Sequence, residues 1–449
     1  MNKKKWGLLL LAALLLFGYI KMFYKTYSKT AVPQSADCIV AADVKRITNT
    51  LIWNFITTPS QWKKFSLSSK KTKEISWDDM VKLPDYILAF HIHNQPKSVW
   101  YALLDIKDTT NFYTGLQQFQ FAKINDHEFV NRANSIYLFV QDEKVLVATA
   151  SEERRNDVSA AANELFIKKT FMPDSSIKKV IQAKSHLVAY LQPNEFLNNE
   201  TIVTANFDKE KIEITGNLVP GAKLNFTENN FKYASNSLCA LAFTQPPVNL
   251  LTFINSTYKE KIATALNFNI DSLLQPQNSW YSLNLNEIKN RVDSAVTYTY
   301  DDEFNKIEKM TVNNIQEPSF DFTITGNKSA AFNDYLLHTK KIEVTNAGNI
   351  FLPMPLVKTY CFQKNTNQLN ITSANYGKTT TDKTINAVFF INMVVSKIPQ
   401  NLVNYLPETF KRTVYNFDVL NVAVVKKENQ LVLNIVVHKK KNDLPLFVL

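Results

Sequence analysis

Glycine is scarce: 8 residues in 449, against an average near ~7%. Gly7 and Gly18 fall in an N-terminal apolar run, which leaves six for everything else. Sites that cradle phosphate or hold a nucleophile on a tight elbow need several glycines in close order, because only glycine lets the backbone approach so closely. Dinucleotide fingerprints, P-loops and nucleophile elbows are thereby excluded. The nearest approach, Gly216 to Gly221 followed by Ala222 and Lys223, has Leu224 where a P-loop carries Ser or Thr, so it is not one.

Arginine is scarce too. Of 51 basic residues only Arg46, Arg132, Arg154, Arg155, Arg291 and Arg412 carry a guanidinium. Phosphate and base edges are read best by its planar fork, which lysine lacks, so no nucleic-acid partner is expected. The net charge of +11 is also uneven: residues 1–30 hold six Lys and no acid, leaving 45 basic residues against 40 acidic ones. Three cysteines, Cys38, Cys239 and Cys361, are too few for a disulfide framework, and their apolar neighbours point to buried free thiols. Five N-x-[ST] sequons are no more than chance supplies in a chain with 47 Asn.

Long apolar runs are absent after the start, where one exists. Lys3-Lys4-Lys5 precedes the uncharged stretch Trp6 to Ile20, and Lys21 can snorkel to let Met22, Phe23 and Tyr24 lengthen it. A cleaved signal peptide shares this layout, but small residues are missing where cleavage needs them. The reading is a signal anchor: a cytoplasmic stub and transmembrane helix over residues 1–32, with the lipid bilayer as partner of residues 6–24. Residues 30–449 are then periplasmic or otherwise extracytoplasmic.

The rest reads as hairpins with helices between them. Ile39–Ala42 is a buried strand, and Asp43 offers an N-cap to a helix with Val44, Ile47, Leu51, Ile52 and Phe55 at helical spacing. Tyr86–His93 with Val99–Ile106, and Ile136–Val140 with Val145–Ala150, are hairpins. The second half repeats the order. Tyr137-Leu138-Phe139 finds a counterpart in Tyr360-Cys361-Phe362, Leu146–Ala150 in Leu369–Ala374, and Trp100 in Trp280. The expected fold is α+β: two tandem units, residues 33–233 and 234–449, each an antiparallel sheet with helices packed on one face. The second is read as a duplication of the first, with its aromatic pair on the first's.

An N-terminal anchor, the opening Pro33-x-x-Ala36-x-Cys38-Ile39-Val40 and two hairpin-and-helix units resemble uncharacterised single-pass membrane-anchored periplasmic proteins of Gram-negative bacteria. The resemblance lies in layout and implies an extracytoplasmic location and an α+β fold. It carries no functional residue with it.

Candidate chemistry is thin. His91 and His93 alternate on a strand, a zinc-compatible spacing if His127 or His186 supplied further ligands, but two histidines on the wetter side of a hairpin need no function. His338 ends a helical run, where a cation suits the last carbonyls, and His438 adjoins Lys439-Lys440-Lys441. Asp301-Asp302-Glu303 reads as a hairpin turn and Asp78-Asp79 as part of a Lys-rich connector. Trp53, Phe55, Trp62 and Phe65, interspersed with lysines, read as helix core or as a surface for lipid headgroups or a partner. No catalytic residue, cofactor or metal site is assigned. The leading reading is a non-enzymatic binding or scaffolding protein of the cell envelope, with an envelope protein as further partner. Two alternatives stay open: a metal-dependent hydrolase using His91 and His93, and a carrier of a lipid or other hydrophobic ligand lined by the aromatic surplus.

Overall fold

The computed structural model describes residues 24–440, apart from 60–74, 222–225, 245–259, 261–263, 265–278, 327–328, 347, 355–356, 374–381, 405–410 and 412–413. The chain divides into two compact units, one ending at Val219 and the other spanning Pro220–Lys440.

Unit 1 is built around its first strand. Strand β1 (Ala36–Asp43) pairs antiparallel with β3 (Tyr86–Ile92) on one side and β9 (Leu187–Leu191) on the other. Small residues on β1 meet large ones across both ladders: Ala41 lies between Leu88 and Val188, and Ile39 between Phe90 and Tyr190. Alternate side chains point to one face, so these six all enter one core cluster. The ladder continues from β9 to β10 (Thr201–Phe207) and β11 (Lys211–Leu218). On the other side β3 leads to β4 (Tyr101–Ile106), which also pairs with the short β2 (Val81–Lys82), and then to β8 (Lys144–Ala148), β7 (Ile136–Gln141), β6 (Glu128–Asn131) and β5 (Ala122–Lys123). Asp43 ends β1 and caps α1 (Val44–Ile56), its carboxylate accepting from the Arg46 N–H at 2.8 Å.

Unit 2 repeats that order. Strand β13 (Cys239–Thr244) lies between β14 (Trp280–Tyr300) and β21 (Phe389–Val394). Beyond β21 come β22 (Phe417–Lys427) and β23 (Gln430–Lys439). Beyond β14 come β15 (Lys306–Thr325), β19 (Gln368–Ser373), β18 (Thr359–Asn365), β17 (Gly348–Phe351) and β16 (Ile342–Thr345). Apart from β2, each strand of unit 1 has a counterpart at the same place in the ladder and in the sequence. A helix also follows the third long strand in both: α3 (Thr109–Gln118) in unit 1, after the short α2 (Trp77–Met80), and α6 (Ser329–His338) in unit 2. Unit 2 adds a two-stranded sheet, β12 (Asn229–Tyr233) with β20 (Lys383–Ala387), whose Phe231 and Ala387 pack with Ala240, Ala242 and Phe390.

Several expectations are corrected. The chain is mostly antiparallel sheet and not α+β with helices over one face of each unit. In unit 1, Phe112 and Leu116 of α3 cover Leu138 and Val140 of β7. Tyr137 of the same strand faces the other way, in a cluster with Val158 and Ala161 of α4 (Arg155–Ala162) and Ile177 and Val180 of α5 (Asp174–Gln182). Helix α1 buries only Asn54 and leaves Trp53 67% exposed.

The aromatic pairs occupy corresponding strands and face away from corresponding helices, since α3 covers Leu138 between the first pair and α6 covers Cys361 between the second. Tyr137 and Phe139 stand opposite Ala148 and Leu146 in the core. In β18 Cys361 stands opposite Ile371 in the core under α6, as Leu138 does under α3, but Phe362 on the other face is exposed where Tyr137 is fully buried. Trp280 opens β14, the counterpart of β3, whereas Trp100 precedes β4, so the two tryptophans are not equivalent.

The single-pass anchor and the extracytoplasmic placement drawn from it are likewise withdrawn. Among the described residues no helix is long and apolar enough to cross a membrane. The span assigned to residues 6–24 lies outside the described residues except for Tyr24. From there the chain is held to unit 1 and does not project freely: Lys25 pairs with buried Asp43, Thr26 N–H donates to Asp85 at 2.7 Å, and the Tyr27 hydroxyl donates to Asp174 at 2.8 Å.

Gly326, at the junction of β15 and α6, has φ +151, and a Cβ there would lie 2.8 Å from the Ser279 Cα. Gly326→Ala is expected to destabilise unit 2 by about 1–3 kcal/mol, read as a lower urea midpoint. An unchanged midpoint would mean that the junction relaxes freely.

Candidate functional site

The geometry around His91 is that of a buried polar contact. Its Nδ1 lies 2.7 Å from Asp37 Oδ1 and its Nε2 lies 3.2 Å from the Pro96 carbonyl. Both ring nitrogens are in contact with oxygen, so a metal would have to displace Asp37 or the Pro96 carbonyl to reach either. His91 is 7% exposed, not on a wet face as its spacing suggested. His93 lies beyond the end of β3, exposed, with Nδ1 3.7 Å from Asp37 Oδ2.

The intended helpers are engaged elsewhere. His127 Nδ1 bonds the Val140 carbonyl at 2.9 Å. His186 is bound by Thr50 Oγ1 at 2.7 Å and Asn206 Oδ1 at 3.2 Å and stacks on Phe207. His338 and His438 are exposed. Among the described residues no three His, Cys, Asp or Glu side chains gather as metal ligands would. Cys38, Cys239 and Cys361 are free thiols. Burial pushes Cys361 up to about 12, while burial and then Asp37 push Cys38 up to about 11. Neither is a poised nucleophile.

A cleft of about 240 Å³ in unit 1 is lined by Tyr27, Tyr86, Leu88, Leu103, Asp85 and Asp105, among others. That is below the ~300 Å³ at which ligand pockets usually begin. Its carboxylates are taken: Asp105 by Lys144 at 2.6 Å, and Asp85 by Lys45 at 3.0 Å and by Thr26.

The feature without a counterpart in ordinary packing is the β14–β15 hairpin. Its ladder runs from Trp280↔Thr325 to Tyr300↔Lys306. Strand β13 accompanies only Trp280–Leu285, and β19 only Asp321–Thr325. Beyond these, among the described residues, the two strands continue with no further strand paired to them, as a ribbon. Residues directly opposite one another share a face, and the register puts Val292, Val296, Tyr298 and Tyr300 on the same side as Met310 and Val312. All six are more than half exposed, from 51% for Val296 to 69% for Met310. The same side also carries Ser294, Lys306, Glu308 and Asn314, and the other side carries Asp293, Ala295, Thr297, Thr299, Ile307, Lys309 and Thr311. The Lys306 ammonium sits 3.8 Å above the Tyr298 ring.

The turn is capped by Asp301, whose carboxylate accepts from the Asn305 and Glu303 N–H groups at 2.7 and 3.0 Å. Those backbone bonds hold its pKa below the usual carboxylate range. Phe304, at φ 63 in the same turn, is 86% exposed. The acidic triplet is thus a turn, as its sequence suggested. The apolar stripe was missed: the alternation from Val292 to Tyr300 was readable, but only the end of the hairpin was taken as strand.

No family model and no curated protein matches this chain. A solved structure, crystal form III of TP0453, aligns over 45% of this chain and 89% of its own with 11% identity. Its TM-score is 0.27, too low to support an argument about fold or function.

Two outcomes follow. Burial holds the His186 pKa below its usual value, the largest of several influences on it. The unfolded chain therefore binds that proton first as pH falls through about 6.5. The stability attributable to neutral His186 is complete above that pH and declines below it. Urea midpoints taken from about pH 7.5 to 5 should fall less steeply in His186→Gln than in the parent, and equal slopes would contradict this. Cys361 should also resist a thiol reagent in the native chain and react on unfolding; rapid native labelling would refute its burial.

Proposed function

We propose that this protein is a non-enzymatic binding or scaffolding protein whose working surface is the apolar face of the β14–β15 ribbon. One observation carries the reading. In unit 1 the corresponding hairpin, β3–β4, is 7 and 6 residues long, whereas β14 and β15 are 21 and 20. The shared strand order supports a tandem duplication in which one hairpin was lengthened beyond what the sheet can pair. Monomeric proteins rarely expose contiguous apolar patches of more than a few hundred Å² without a use for them.

The two alternatives find less support. A hydrolase would need His91 to release Asp37 and the Pro96 carbonyl, and a carrier would need a larger cavity than the cleft described.

A benzophenone amino acid placed at Val296 in the full chain should give a discrete photo-crosslinked adduct in producing cells. The same group at Ala295, on the opposite face, should give little. Equal yields at both positions, or none at either, would refute the ribbon as a binding surface.

A further inference from the structure

Resting on that reading, we infer that the partner of the ribbon is a second copy of this chain, docked apolar face to apolar face. An isolated two-stranded hairpin is marginal in water and gains stability when a face is covered. Here the uncovered face is large. An aromatic ring buries roughly 200 Å², so the exposed parts of Tyr298 and Tyr300 on this face, with Phe304 in the adjoining turn, amount to about 400 Å² of ring surface. Val292, Val296, Met310 and Val312 extend this along the ribbon. The total approaches the ~800 Å² per partner of a standard stable interface.

The chemistry favours a protein over a bilayer. Asp301, Asp302 and Glu303 occupy the tip, where a membrane-entering hairpin would meet anionic headgroups and then hydrocarbon. At the other end Arg291 lies 3.5 Å from Glu317 and Lys289 lies 3.0 Å from Glu287. These pairs lie on the opposite face of the ribbon, whereas Glu308 and Lys306 border the stripe on its own face, across from Tyr298 and Tyr300. In a two-fold association the same patch serves both copies, so a residue near the middle of the stripe approaches its own equivalent. Val296, opposite Met310, holds that position.

The test uses the purified full chain. Sedimentation velocity should show a concentration-dependent dimer, which Val296→Lys weakens at least ~10-fold and Ala295→Lys leaves in place. Both positions are exposed, so neither variant should impair folding, and matching circular dichroism spectra verify this. Irradiation of the chain carrying benzophenone at Val296 should give a species of twice the chain mass. A purified chain that stays monomeric, with a cellular adduct of some other mass, would overturn the second copy as partner while leaving the ribbon as a binding surface. No adduct in either setting would overturn both. A dimer unaffected by Val296→Lys would place the contact elsewhere and overturn the inference.

Discussion

Strand β1 enters the sheet between β3 and β9, and β13 enters between β14 and β21. In each unit the first strand of the main sheet is thus the last to be enclosed, because one of its partners comes from near the unit's end. Such non-local pairing costs loop-closure entropy before any contact repays it, which slows folding. What makes the insertion specific is size complementarity. Ala41 accepts Leu88 and Val188 from its two sides, and a one-residue slip would send Ile39 and its partners to the opposite face. Asp43 fixes the end of the strand by capping α1 and holding Lys25.

The two units obey that constraint equally but use the hairpin beside the inserted strand differently. In unit 1, β3–β4 stops where the sheet stops, and its residues are paired on both sides or covered. In unit 2 the hairpin outruns both neighbours and becomes a ribbon with one largely apolar face and, among the described residues, no strand on either edge. Charged residues such as Asp293, Lys306 and Lys309 break up its strands, as exposed edges require if they are not to pair indiscriminately. On the stripe's own face the charges, Lys306 and Glu308, gather at the tip end, and the part around Val292, Val296, Met310 and Val312 carries none. This contrast within one chain, and not the presence of any reactive group, is what points to binding.

Much of the secondary structure was legible in the sequence because its signals are local. The Asp43 cap, the β7–β8 hairpin and the turn at Asp301 follow from side chains acting on nearby backbone. Which face a strand buries was harder to read. Tyr360 and Phe362 match Tyr137 and Phe139 in spacing and in facing away from the covering helix, yet Tyr137 is buried against α4 and α5 while Phe362 is exposed. His91 is similar: its buried contact depends on Asp37 of a strand distant in sequence. Helix α1 shows the converse, with helical periodicity correctly signalling a helix while Trp53 and Ile56 stay exposed. The length of β14 was not legible, because polar residues such as Asn290 and Asp293 interrupt its apolar alternation, although an exposed ribbon tolerates them.

Hydrogen exchange across residues 280–325, followed over a range of protein concentrations, tests the central claim most directly. Amides of Trp280–Leu285 and Asp321–Thr325, paired to neighbouring strands, should be protected at every concentration. Those of Ile288–Ile315 should exchange rapidly in dilute solution and gain protection as concentration rises. Ribbon protection that is high in dilute solution and unchanged by concentration would contradict an uncovered face awaiting a second copy.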